Sequence, residues 1–144
     1  MKIVVANGPN LNLLGTREPE VYGTTALADI ESALRARAGD LGCEIVFFQS
    51  NHEGELLDRL QAEAPGAHGL IINPGAFSHS SYALYDCLRW MPVPIVEVHI
   101  SNVYRRAEGF RTHMVTAPAS TGVISGLGAR GYLLALEYLV DRDQ

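Results

Sequence analysis

Residues 7–23, Asn-Gly-Pro-Asn-Leu-Asn-Leu-Leu-Gly-Thr-Arg-Glu-Pro-Glu-Val-Tyr-Gly, gather Asn10, Arg17 and Tyr22 in one stretch. A free phenol has a pKa near ~10 and is a poor base at neutral pH. A guanidinium ~4 Å away in an effective dielectric of ~20 is worth roughly 4 kcal/mol to the phenolate, about 3 pKa units as an upper figure. Arg17 is positioned in the sequence to supply that charge and make Tyr22 a base that works near neutrality. On composition alone, the same two residues fit an ordinary surface loop equally well. A second pair is Glu97 and His99. Residues two apart share a face of an extended strand, so the carboxylate can orient the imidazole and favour its protonated form. A lone histidine at a strand end is more commonly a satisfied structural residue.

These side chains need a scaffold, and the hydrophobic pattern supplies one. Ile3 to Ala6, Ile45 to Phe48, Leu70 to Ile72 and Ile95 to Val98 are short β-branched or aromatic runs without polar alternation. That is the mark of parallel strands covered on both faces. Leu27, Ile30, Leu34 and Ala38 repeat at helical spacing, with Thr24 and Thr25 as cap candidates and Gly39 as the stop. Leu56, Leu57, Leu60 and Ala64 form a second helix ending at Pro65-Gly66, and Leu84, Cys87 and Leu88 a third ending before Pro92. Tyr132, Leu133, Leu136, Leu139 and Val140 form the last. For the fifth strand, His113 to Thr116 and Val123 to Ser125 compete across Pro118, and the first is favoured. Strict alternation of strand and helix predicts right-handed crossovers and a doubly wound α/β fold, a flavodoxin-like five-stranded parallel sheet of order 2-1-3-4-5.

In such sheets ligands bind beyond the carboxyl ends of the strands, where the order reverses. The predicted strands are followed by Asn7-Gly-Pro-Asn10, Gln49 to Gly54, Asn73 to His79 and His99 to Asn102, so four polar segments converge on one edge. Residues 7–23 form the first of these loops. A strand-to-helix connection that long exceeds the usual few residues and is functional or disordered by rule. The glycines and prolines alone are explained as well by turns.

At 144 residues the chain reads as one domain, 1–144, large enough to fold without staples. A net charge of −5 and pI near 5.4, with no basic stripe, exclude nucleic acid as the expected partner. Cys43 and Cys87 read as two free buried thiols, which fits a reduced, cytoplasmic setting. The apolar run before Asn7 is too short for a signal peptide, and no stretch could span a bilayer, so a soluble protein without membrane contact is expected. The Gly122 to Gly131 run has no lysine and lacks nucleotide-loop spacing. It reads as a packing or subunit-contact segment.

The motifs Asn7 to Gly23, Gln49-Ser-Asn-His-Glu-Gly54, Asn73-Pro-Gly-Ala76 and Glu97-Val-His-Ile-Ser-Asn102 together resemble the type II 3-dehydroquinate dehydratases, from the first strand to the last helix. The resemblance implies dehydration of 3-dehydroquinate to 3-dehydroshikimate through an enolate, without a cofactor or metal, in a dodecamer built from trimers. Such chemistry needs a base for the proton next to the ketone, a stabiliser for the enolate and an acid for the departing hydroxyl. The family's catalytic tyrosinate and activating arginine fall on Tyr22 and Arg17, its proton donor on His99 beside Glu97, and its water-holding residue on Asn10. By the same resemblance Asn73 and the backbone amides of Ile100 and Ser101 take the substrate carboxylate. His79, Asp86 and Arg111 hold ring hydroxyls or help close the pocket, although Asp86, in mid-helix, equally fits a solvated or subunit-contact role. The chain departs from the family pattern at Tyr104, where a histidine is usual, and in the segment 105–111, which is one residue longer; Arg106 is the rival to Arg111. A flavin-mononucleotide-binding module would use the same sheet edge but has no need of an Arg and a Tyr in one long loop. A non-catalytic assembly of the same family is the other alternative.

Overall fold

The computed structural model describes residues 1–16, 20 and 24–142. Five parallel strands, β1 (Lys2–Asn7), β2 (Glu44–Gln49), β3 (Gly69–Asn73), β4 (Ile95–His99) and β5 (Gly122–Ser125), form one sheet in the order β2-β1-β3-β4-β5. Among the described residues four α-helices alternate with them: α1 (Leu27–Leu41), α2 (Glu53–Glu63), α3 (Tyr82–Trp90) and α4 (Arg130–Asp141). The flavodoxin-like order expected from the sequence is the order found.

The unalternated runs are explained by cover on both faces. Ile3, Val5, Ile71, Val96 and Val98 pack with Leu34, Ala38, Leu136 and Leu139 against α1 and α4. Val4, Ala6, Leu70, Ile72 and Ile95 pack with Leu56, Leu60, Leu84 and Leu88 against α2 and α3. Burial of an aliphatic side chain stabilises by roughly 1.5–3 kcal/mol, so the central strands β1, β3 and β4 hold the sheet most strongly. Register follows from this. Asn7 stands opposite Gln49 on one side and Asn73 on the other, which sets a polar row across the carboxyl edge.

The structure differs from the sequence reading at the fifth strand, at both ends of the first helix and at Cys43. The fifth strand is Gly122–Ser125, paired with β4 from Val96↔Gly122 to His99↔Ser125, and not His113–Thr116. The latter segment is strand-like because Val115 and Thr116 are buried, but the amide of Val115 donates to the Ser78 carbonyl at 2.7 Å and no ladder forms. Helix α1 passes through Gly39 and stops at Gly42, whose left-handed φ of 73° closes the last turn. Its first turn is capped from within, the Ala26 amide donating to Asp29 Oδ2 at 3.0 Å, rather than by Thr24 or Thr25. Cys87 is buried and Cys43 only partly so; both are free. Among the described residues no helix is long and apolar enough to cross a membrane.

Candidate active site

The loops after β1 and β3 are pressed together at the carboxyl edge. A Cβ on Gly8 would lie 2.2 Å from the Pro74 carbonyl oxygen, so only glycine lets the two backbones meet here. The Gly8 amide uses that approach to donate to the Asn73 carbonyl at 2.8 Å. Gln49 Nε2, from the end of β2, donates to the Gly8 carbonyl at 3.1 Å and to Asn51 Oδ1 at 3.0 Å. Asn51 Oδ1 in turn accepts the Asn10 amide at 2.9 Å. Asn10 is thereby held in the left-handed region, φ 68°, which asparagine tolerates better than most residues.

Beneath this lies a closed polar network. The Tyr132 hydroxyl, on α4, donates to Asn7 Oδ1 at 2.7 Å and accepts from Asn73 Nδ2 at 2.9 Å. Asn7 Nδ2 donates to the Phe48 carbonyl and Asn73 Oδ1 accepts the Gly75 amide, both at 3.1 Å. All three side chains are buried, and burial pushes the Tyr132 phenol well above the usual tyrosine pKa. It is a neutral tether and not a base. The sequence pattern showed Tyr132 only as a helix core residue.

On the other face of the sheet, Glu97 and His99 are both buried, with Glu97 Oε2 and His99 Nε2 2.7 Å apart. The carboxylate accepts, so Nε2 carries a proton and Nδ1 is the nitrogen left to act on a ligand. His79, from the 3-10 turn after β3, bonds through Nδ1 to the His113 carbonyl at 3.0 Å and meets Phe110 edge-on at 5.7 Å. Burial lowers its pKa from the ordinary imidazole value; the bond to His113 opposes this and the Arg111 charge reinforces it. Arg111 stacks on the opposite partner of that contact, 4.6 Å from the Phe110 ring centre. Its Nε is buried without a hydrogen-bond partner.

Asn10, Asn73, His79, His99, Ile100, Ser101, Arg106 and Arg111 line one cavity. The structure therefore brings together eight of the residues singled out from the sequence, with both arginine rivals among them. Arg106 Nη1 lies 3.4 Å from Ser101 Oγ and its Nη2 3.7 Å from Glu108 Oε1. Asp86 is not brought there: it is exposed on α3. Arg17 and Tyr22 lie outside the described residues. Thr116, which enters the sequence reading only as the end of a candidate strand, donates to Glu97 Oε1 at 2.5 Å; nothing in the spacing links the two. Among the described residues no cluster of His, Cys, Asp or Glu is arranged to hold a metal.

Sheet order and cavity together define a flavodoxin-like α/β protein with a small-molecule site at the carboxyl edge of its sheet. The family model "Dehydroquinase class II" matches residues 1–140, and the chain belongs to that family. It is 57% identical over 140 residues to the 3-dehydroquinate dehydratase of Roseiflexus castenholzii, covering 97% of this chain and 88% of the relative. It is 53% identical over 146 residues to 3-dehydroquinate dehydratase 2 of Corynebacterium efficiens, covering 100% of each. The crystal structure of type II dehydroquinase from Butyrivibrio crossotus superposes with a TM-score of 0.94 at 42% identity, over 96% of this chain and 97% of that one.

Proposed function

We propose that the protein is a hydro-lyase that removes water from 3-dehydroquinate to give 3-dehydroshikimate, in the shikimate pathway leading to chorismate and the aromatic amino acids. The observation that carries this is the match along the chain to the class II family, joined to a cavity lined by His99, itself bonded to Glu97, and by two arginines. Residues 1–144 act as one catalytic domain. Tyr22, ionised beside Arg17, takes the proton next to the ketone, and the electron pair moves into the carbonyl to give an enolate. A water held by Asn10 stabilises the enolate oxygen. As the carbonyl re-forms, the C–O bond to the departing hydroxyl breaks, and His99, oriented by Glu97, protonates the leaving group as water. Asn73 and the amides of Ile100 and Ser101 hold the carboxylate, with His79 and Arg111 on the ring hydroxyls. No cofactor or metal takes part.

A lysine imine is the other route to this product. The single lysine, Lys2, begins β1, and its Nζ is 3.3 Å from both Glu63 Oε2 and the Pro65 carbonyl, at the amino edge of the sheet. Borohydride added to enzyme and substrate should therefore leave the protein mass unchanged. A stoichiometric adduct with loss of activity would overturn the enolate route. The direct assay is appearance of the conjugated enone absorbance from 3-dehydroquinate; no turnover by pure, folded protein would refute the proposal.

Within the loop, Arg17→Ala should lower kcat strongly near neutrality and regain part of it as pH rises toward the free tyrosine value of ~10. Tyr22→Phe should recover at no pH. An Arg17→Ala variant that loses only affinity would make Arg17 a carboxylate clamp instead. The assembly is a homododecamer, a tetramer of trimers, working in the cytoplasm, in which the exposed Asp86 serves a neighbouring subunit's site or the subunit contact. Light scattering that finds a fully active monomer would rule that out.

A further inference from the structure

Glu97 makes a second hydrogen bond that the mechanism above leaves unused. The geometry points to Thr116 as a positioning residue for the dehydration: its hydroxyl fixes the Glu97 carboxylate and, through it, the orientation of His99. This rests on the reading of His99 as the acid. Glu97 is fully buried, and a buried carboxylate is costly unless its oxygens are bonded. Oε2 is taken by His99 Nε2 at 2.7 Å, and Oε1 by Thr116 Oγ1 at 2.5 Å. An O–H donor this close to a carboxylate belongs to the strong, charge-assisted class.

The hydroxyl is also aimed by its backbone. The amides of Val115 and Thr116 both reach the Ser78 carbonyl, at 2.7 and 3.4 Å, and the Thr116 carbonyl accepts the Ala119 amide at 3.0 Å. Ser78 is tied by its own hydroxyl to the Gly75 carbonyl at 2.8 Å, so the segment is anchored on the β3 loop that carries Asn73 and His79. Thr116, wholly buried, thus spans from that loop to the acid–base pair on β4. With the hydroxyl absent, Oε1 would lose this bond inside a buried site, and the carboxylate would be free to rotate or to take up the His99 proton. Either change leaves His99 a poorer acid while the residues that hold the substrate stay in place.

The test is steady-state kinetics of 3-dehydroquinate dehydration for Thr116→Val, Thr116→Ser and Thr116→Ala. Val keeps the shape and removes the hydroxyl, so kcat should fall by about 10–100-fold, the range expected for one charge-assisted hydrogen bond, with KM within about threefold. Ser should recover most of the rate. Ser and Ala differ only by the hydroxyl, so they carry the same comparison if Thr116→Val fails to fold. In a Glu97→Gln background the same Thr116→Val change should cost less than about threefold, since contacts acting as one unit are not additive. A Thr116→Val enzyme with parental kcat, Ser and Ala variants of equal rate, or full additivity with Glu97→Gln would each overturn the proposal. His99→Asn separates the two ideas. If it keeps parental kcat, the acid assignment itself fails; if it is nearly inactive while Thr116→Val is fully active, Thr116 alone is removed from the account.

Discussion

Two polar clusters sit a few residues apart at the carboxyl edge of the sheet, and they are built on opposite rules. On the α4 side, Asn7, Asn73 and Tyr132 are buried and bonded to one another and to backbone groups. On the α3 side, Arg111 keeps a buried Nε without a partner, and Arg106 and His99 share the cavity wall with it. An unpaired buried donor costs about 1–3 kcal/mol and persists where something else is meant to meet it. The first cluster holds the strand ends in register; the second, on the function proposed above, takes an anionic, hydroxylated ligand. Asn73 belongs to both, because it is bonded to Tyr132 and also lines the cavity.

The comparison can be broken at either side. Arg111→Ala should give the largest effect, lowering kcat/KM for dehydroquinate by about 100-fold, equivalent to ~2.7 kcal/mol of a charged contact, with unfolding stability unchanged or slightly raised. Equal losses in stability and activity would mean that the open cluster is structural after all. Tyr132→Phe should do the reverse. It leaves Asn7 Oδ1 and Asn73 Nδ2 each one partner short, so chemical denaturation should show a loss of about 1–3 kcal/mol, with only a few-fold rise in KM. A Tyr132→Phe protein as stable as the parent would show that the network is not the tether described.

The smallest effect is at His79. Its pKa is depressed in the folded chain, so the unfolded chain takes up the proton first as pH falls. Stability contributed by neutral His79 is therefore present above the ordinary imidazole value of ~6.5 and declines below it, levelling off once the folded form also protonates. His79→Gln should flatten the denaturation midpoint against pH in that window. An unchanged slope would assign the pH dependence to other groups.

The two clusters were not equally visible in the sequence. The central strands were legible because β1, β3 and β4 are covered on both sides and so carry apolar runs, broken only in β4 by the buried Glu97. β5 was not, because it is an edge strand whose Val123 is 46% exposed, while the competing segment has the buried, β-branched look of a strand for a different reason. Glu97 and His99 were legible because strand periodicity links them locally. Tyr132 and Thr116 were hidden: their partners lie 125 and 59 residues away in one case and 19 in the other, and no local period encodes such pairings. Choosing between Arg106 and Arg111 was beyond spacing too, since both reach the cavity from one irregular segment. The candidate base and activator, Tyr22 and Arg17, rest on residue type and family likeness alone.

The central claim is that the open cluster performs acid catalysis on a ligand held by its surroundings, and the most direct measurement is kcat and KM for 3-dehydroquinate with His99→Asn. The variant keeps a polar side chain at the end of β4 but cannot become an imidazolium. Kcat should fall by about 10²–10⁴-fold, the usual contribution of a positioned general acid, while KM stays within a few-fold of the parent. A His99→Asn enzyme that turns over at the parental rate, or one that loses only affinity, would contradict the account.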